Sequence, residues 1–347
     1  MKTVVTGSTG RVGANLVRRL CANGQDVTAC LRSNDRDEVK LEGMNLEKAY
    51  IDILDSYGMK EIIKGADVVI HAAGVHETSL FTIPSYNFFD INVKGMFNVL
   101  EGIRHSGKNT QLICLSSSAV YDVFTADRSP ICENHERKPL TLYGMTKILV
   151  EEQARQYEWQ YGIPTTILRP NYIVAGPEIL DAFNYSVVFD VLDRYADKNE
   201  TQLYAPDAPN TWLGVRDSAN MIKETLCIPR SPEGDAWQWQ MVDVRDVVDI
   251  IEKCLGNEAA YAKTFNVAGA DICDWSKVVP YIAEKTSRKI VEVEIPNLWR
   301  YSFDQSLSKD ILGFDAQYDH YAMVDAAIAM SNNEEVGIIP GEMYPIN

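Results

Sequence analysis

The chain opens Met1-Lys2-Thr3-Val4-Val5-Thr6-Gly7-Ser8-Thr9-Gly10-Arg11-Val12-Gly13 and runs on through Ala14-Asn15-Leu16-Val17-Arg18-Arg19-Leu20-Cys21. Thr3–Thr6 is a short apolar, β-branched run and reads as a strand; Val12–Cys21 has the apolar spacing of an amphipathic helix. Three glycines join them, each with a separate task. Gly7 permits the tight turn, Gly10 lets the backbone approach a pyrophosphate, and Gly13 lets the helix pack close to the strand. Around them Thr9, Gly10, Arg11, Val12 and Gly13 form the helix N-terminus, whose free N–H groups and partial positive charge suit phosphate. A glycine-rich turn alone is weak evidence. Its place between a strand and a helix predicts a dinucleotide site.

Outward from this segment the same rhythm continues. Val27–Leu31, Ala49–Ile53, Asp67–His71, Gln111–Ser116 and Thr165–Leu168 read as further strands. Ser56–Lys64, Tyr86–His105 and Tyr143–Tyr161 read as helices between them. Such alternation predicts an α/β fold with a doubly wound, parallel Rossmann-type sheet covered on both faces. After about Pro170 the rhythm weakens: Pro177, Pro206, Pro209, Pro229 and Pro232 punctuate it, and Trp237 and Trp239 cluster. We expect a dinucleotide-binding domain over residues 1–175. Residues 176–347 are expected to form a smaller mixed C-terminal substrate region, partly interleaved with the first.

Composition narrows the function. Of 347 residues, 33 are Lys or Arg and 49 are Asp or Glu, a net charge of −16 that argues against nucleic acid or an anionic membrane as partner. No run of about 18 apolar residues suggests a membrane span, and the N-terminal apolar run is too short for a secretion signal. The seven cysteines are scattered and form no CxxC pair, so free thiols and a cytoplasmic location are expected. The five histidines lack ligand spacing, so no metal site is expected.

The adenosine end carries its own signal. In many such folds an acid ends the second strand and binds the ribose 2′-hydroxyl. Here the strand ends Ala29-Cys30-Leu31-Arg32-Ser33, with Arg32 beside the acid's place. A guanidinium fits a 2′-phosphate by forked, charge-assisted hydrogen bonds, which favours NADP over NAD. Arg11 could add to that site, unless Arg32 is only a solvated charge. Asp52-Ile53 could flank the adenine, although Asp52 could equally cap a helix.

In order, TGSTGRVG (6–13), Asp52-Ile53, His71-Ala72-Ala73-Gly74, Asn92-Val93-Lys94-Gly95, Ser116-Ser117-Ser118-Ala119-Val120-Tyr121, Tyr143-Gly144-Met145-Thr146-Lys147 and Leu168-Arg169-Pro170 resemble the extended short-chain dehydrogenase/reductase family, its NAD(P)-dependent epimerase/dehydratase group. The later segments 242–247, 263–269 and 309–314 also look like that family's C-terminal part. The resemblance implies a catalytic set of Ser117, Tyr143 and Lys147, with Ser118 as the alternative hydroxyl. It implies that Ala72, Ala73 and Gly74 lie close to the cofactor. Asn92 would support the helix backbone and a bound water, and Pro170, Asn171 and Ile173 would line the nicotinamide. The Ser117-Ser118-Ala119 run lacks the acids of the dehydratase branch, which places dehydration in doubt. His71 and His76 read as structural.

The chemistry of the Tyr–Lys pair follows from physics as well. Spacing of four puts Tyr143 and Lys147 on one helical face. A free phenol ionises near pH 10 and is a poor base; an ammonium and a positive nicotinamide ring favour its phenolate. The phenol can then exchange a proton with a substrate oxygen while hydride moves to or from the nicotinamide, and Lys147 can hydrogen-bond the ribose. The reading is an NADP- or NAD-dependent oxidoreductase acting on a carbonyl/alcohol pair. Its alternatives are a nucleotide-sugar epimerase with no net redox change, or a non-catalytic NADP sensor. Arg216, Arg245, Trp212 and Tyr185 could line the substrate pocket, although ordinary surface or core placement is the stronger expectation for each, and a homodimer through the helices flanking Tyr143 is common in the family.

Overall fold

The computed structural model describes residues 1–76, 84–123, 129–195, 224–295 and 298–341. Six strands and five helices build the first half. They are β1 (Lys2–Thr6), α1 (Arg11–Ala22), β2 (Asp26–Leu31), β3 (Glu47–Tyr50), α2 (Ser56–Ile63), β4 (Val68–His71), α3 (Ser85–Phe89), α4 (Gly95–Arg104), β5 (Gln111–Leu115), α5 (Leu142–Tyr161) and β6 (Thr165–Pro170). A seventh strand, Lys263–Val267, pairs with β6. The sheet runs Lys263–Val267, β6, β5, β4, β1, β2, β3, and all its pairs are parallel.

Burial on both faces explains why the strands read as continuous apolar runs. Val4, Val69, Leu112 and Ile167 face Met59, Ile63, Met96, Leu100 and Val150 of α2, α4 and α5. Their neighbours Val5, Ile70 and Ile113 face Leu16 and Leu20 of α1 and Val247 and Ile251 of the helix Val244–Cys254. A third core gathers Trp237, Trp239, Trp275, Trp299 and Phe183 with residues of the second half. The strand order reverses between β4 and β1, so a crevice opens there at the carboxyl ends, where open α/β sheets bind ligands.

Two elements differ from expectation. β3 ends at Tyr50 rather than Ile53, because Asp52 Oδ1 accepts from Leu54 N at 2.8 Å and turns the chain. The long helix expected over Tyr86–His105 is α3, a π-helical turn at Asp90–Lys94, and α4. A π turn inside an α-helix frequently marks a functional site.

Candidate active site

The loop after β1 is built as the glycine spacing requires. Gly7 has φ +68°, and a Cβ there would lie 2.7 Å from the Ala73 backbone across the crevice. A Cβ on Gly13 would lie 2.0 Å from Gly7 O, so only glycine lets α1 sit this close to β1. Gly10 N–H donates to Gly7 O at 3.1 Å. A Cβ on Gly10 would meet only that oxygen, at 3.3 Å, which leaves its outer side open to a ligand. No side chain caps α1, so the first-turn N–H groups at Arg11, Val12 and Gly13 are placed to receive an anion.

Arg32 is exposed at the end of β2, and among the described residues no carboxylate lies within ion-pair distance of it. Beside it Asp35 accepts from Thr9 Oγ1 at 3.0 Å, placing a carboxylate at the same end of the crevice. Arg11 turns elsewhere, which corrects its expected place beside Arg32: its guanidinium donates to Glu178 at 2.6 Å. Glu178 Oε1 in turn accepts from Ala175 N at 2.6 Å. The segment reaching Gly341 packs against this pair. Asn15 of α1 donates to Ile339 O at 2.8 Å and accepts from Ile339 N at 2.7 Å. Asp52 does not cap α2; Asp55 does, accepting from Tyr57 and Gly58 N–H. Ile53 packs within van der Waals reach of Gly95 at the start of α4.

At the other end of the crevice, α5 is capped by Thr141, whose Oγ1 accepts from Gly144 N at 3.1 Å. A Cβ on Gly144 would lie 2.1 Å from Ala119 O, so glycine brings α5 onto the segment after β5. Tyr143 and Lys147 lie on the buried face of α5, with Lys147 Nζ 5.7 Å from the Tyr143 ring centroid. Lys147 Nζ donates to Leu115 O at 2.9 Å. Ser117 is half-buried, and its Oγ accepts from Ala119 N at 3.1 Å. The alternative hydroxyl, Ser118, is buried and donates to Asn171 Oδ1 at 3.0 Å. Asn171 also anchors the chain after Pro170, its N–H donating to Val267 O at 2.9 Å, and Ile173 packs against the α1 side of the sheet.

Asn92 occupies the π turn and ties three parts together. Its Oδ1 accepts from Val75 N at 2.8 Å and its Nδ2 donates to Val75 O at 3.1 Å. Nδ2 also donates to Thr146 Oγ1 at 3.0 Å, and that hydroxyl donates to Tyr143 O at 2.8 Å. The loop Ala72-Ala73-Gly74 is thereby held against α5: a Cβ on Gly74 would lie 3.1 Å from Asn92 Oδ1 and 3.6 Å from Lys147 Nζ. His71 is buried, its Nδ1 2.9 Å from Thr6 Oγ1. Burial, then the Lys147 charge, pushes its imidazole down to about 3, so it stays neutral near pH 7. His76 is exposed, and its ring packs on that of Tyr143, centroids 4.9 Å apart.

Sequence reading missed a buried charge cluster beneath this set. Arg169 donates to both oxygens of Glu151, each at 2.7 Å, and Ser116 Oγ donates to Glu151 Oε1 at 2.7 Å. Arg155 and Arg137 add contacts at 3.0 and 3.2 Å. The signal was present: Glu151 is one helical turn beyond Lys147 on the same face. Arg245 is held by both oxygens of Asp243 and stacked 3.5 Å over the Tyr318 ring. Tyr185 is buried against Phe189. Trp212 and Arg216 lie outside the described residues. Among the described residues no cluster of His, Cys, Asp and Glu could hold a metal ion, and no helix is long and apolar enough to cross a membrane.

Residues 3–268 match the model of the NAD dependent epimerase/dehydratase family. A putative UDP-glucose 4-epimerase of Methanocaldococcus jannaschii is 32% identical over 276 residues, 75% of this chain and 85% of that protein. Sterol demethylase protein B of Methylococcus capsulatus is 32% identical over 183 residues, about half of each protein at 51% and 52%. A solved short-chain dehydrogenase/reductase superfamily protein from Agrobacterium tumefaciens, with bound NAD, superposes with TM-score 0.77 at 24% identity, over 96% of this chain and 98% of that one.

Proposed function

We propose that this chain, which belongs to the NAD-dependent epimerase/dehydratase family of extended short-chain dehydrogenase/reductases, moves hydride between a nicotinamide cofactor and a carbonyl or alcohol carbon, with Tyr143 exchanging the proton. The supporting observation is that Tyr143 and Lys147 share the buried face of α5, with Lys147 tied to Leu115 O at the end of β5, two residues before Ser117. The glycine loop, Ala73 and Gly74 fit a dinucleotide, since a Cβ at Gly7 or Gly13 would fill the space that the turn and helix need. When bound, the nicotinamide supplies or takes the hydride.

The residues divide the remaining work. Ser117 Oγ already accepts a backbone N–H, so its own proton is available to a substrate oxygen. Ser118 already donates its O–H to Asn171 Oδ1, which makes Ser117 the better hydroxyl. Lys147 uses one donor on Leu115 O and keeps two, enough for a ribose hydroxyl. The Methanocaldococcus jannaschii relative supports a nucleotide sugar as substrate and hydride passing out and back. Net oxidoreduction on a simpler carbonyl uses the same groups. Incubation with NADP(H) or NAD(H) and a panel of nucleotide sugars, aldehydes and ketones separates the two. Epimers without net change at 340 nm mean epimerisation; a lasting change means oxidoreduction. Neither, with every member of the panel, refutes hydride transfer.

The free guanidinium of Arg32 supports NADP as the cofactor. Arg32→Ala is then expected to raise KM for NADP(H) by about tenfold or more, the scale of a charge-assisted contact, and to move that for NAD(H) by less than about twofold. A preference for NAD that Arg32→Ala leaves untouched assigns this end to Asp35 as a hydroxyl acceptor.

A further inference from the structure

We propose that the segment 336–341 is a clasp that positions the first turn of α1 for the dinucleotide, so that seating of the clasp and binding of the dinucleotide strengthen each other. The inference rests on the dinucleotide reading of the phosphate loop and extends it to residues beyond 3–268, the span that matches the family model. Two anchors hold the clasp. On the α1 side, Asn15 takes both main-chain polar groups of Ile339, donating to its C=O at 2.8 Å and accepting from its N–H at 2.7 Å, and Arg18 donates to Gly337 O. On the other side, Gly341 N–H donates at 3.1 Å to Ala175 O, in the chain that follows β6. Between the anchors, Ile338 is buried in the core that holds Val12 and Leu16.

Arg11 is the residue that the clasp and the ligand share. Its N–H is one of the first-turn groups placed to receive an anion. Its C=O accepts from Asn15 Nδ2 at 2.8 Å, the same amide nitrogen that holds Ile339. Its guanidinium is held at 2.6 Å by Glu178, whose other oxygen holds Ala175 N–H, and Ala175 O is the far anchor of the clasp. Gly341 lies against the Arg11 side chain: a Cβ there would stand 2.7 Å from Arg11 Nε and 3.2 Å from both Arg11 Cγ and Glu178 Oε1. With the clasp seated, Arg11 is fixed at its carbonyl, along its side chain and at its tip before an anion arrives. With the clasp released, the anion has to order that turn itself, and its apparent affinity is reduced to the fraction of molecules with the clasp seated. Linkage makes the effect reciprocal: a bound dinucleotide favours the seated clasp by the same factor. Packing alone needs Ile338; it does not need one amide joining Ile339 to the Arg11 carbonyl.

The first test is hydrogen–deuterium exchange on the wild-type chain, with NADPH or NADH as the ligand. Exchange of the amides in 336–341 should slow by about threefold or more on binding, together with those of residues 7–14, while the helix Trp275–Thr286 in the tryptophan-lined core stays as it was. Slowing in 7–14 with none in 336–341, or equal slowing in all three, overturns the proposal and leaves the dinucleotide reading standing. No slowing in 7–14 with either nucleotide overturns that reading, and the role of the clasp with it. The second test uses two variants. Asn15→Leu removes the near anchor, and Gly341→Ala drives a methyl into the Arg11–Glu178 contact without altering α1. Each should raise the dissociation constant for the reduced dinucleotide by about threefold or more, the scale of one intramolecular hydrogen bond. A clasp that only stabilises the fold lowers the melting temperature of both variants and leaves that constant within a smaller change, which overturns the proposal. Tighter binding also overturns it, since Arg11, once freed, then serves the phosphates with its own charge. Gly341→Ala decides the matter where Asn15→Leu does not fold, and the exchange measurement needs neither.

Discussion

Tyr143→Phe is expected to lower kcat by about 10³-fold, within the range of general acid–base contributions, while the dissociation constant of the dinucleotide moves by less than about twofold. The phenolic oxygen is the only atom lost. The ring keeps its contacts with Phe88 and His76, and the backbone keeps the Thr146 bond to its carbonyl. The phosphate loop lies on other elements, β1 and α1, and does not feel the change. Steady-state kinetics and a fluorescence titration with reduced cofactor measure the two quantities. Loss of binding together with turnover would mean that Tyr143 supports the cofactor rather than the proton transfer. Unchanged turnover would remove Tyr143 from the chemistry and revive the non-catalytic sensor.

Arg169→Met is expected to cost about 3–5 kcal/mol of stability, because it strands a buried carboxylate. Glu151 is fully buried and takes two bonds from Arg169; the guanidiniums of Arg137 and Arg155 are each about a third exposed and reach it from one side only. Burial pushes the Glu151 carboxyl up, but Arg169 above all, then Ser116 and Arg155, hold it below the usual carboxylate range. The sign follows: a depressed carboxyl stabilises the fold above its unfolded value near pH 4.3 and loses that contribution as pH falls through the folded value. Denaturant melts at pH 7 and pH 4 check both statements. A loss under about 1 kcal/mol at pH 7 would show that water or the remaining arginines satisfy Glu151. Adding Glu151→Gln should recover part of the loss, since the uncompensated charge is then gone.

The central sheet was legible because most of its first six strands are short β-branched or apolar runs buried on both faces, and period and length suffice to find such runs; the polar edge strand β3, Glu47–Tyr50, is the exception. The pairing of Tyr143 with Lys147 was legible for the same kind of reason: spacing alone places them on one side of a helix. What escaped depends on distance along the chain. Nothing local to Arg11 says that Glu178 will take its guanidinium, 167 residues away. Nothing near Lys263–Val267 says that this strand will extend a sheet begun at Lys2. Arg245 is held by Asp243, the N-cap of its own helix. The π turn at Asn92 was hidden because its extra residue leaves the apolar pattern on either side intact.

Ile339 presents both of its main-chain polar groups to Asn15, so α1 shares an edge with a stretch 324 residues further along the chain. During synthesis that edge of α1 has to wait for a distant partner. Ordering of this side of α1 is therefore a late, long-range event rather than a local one.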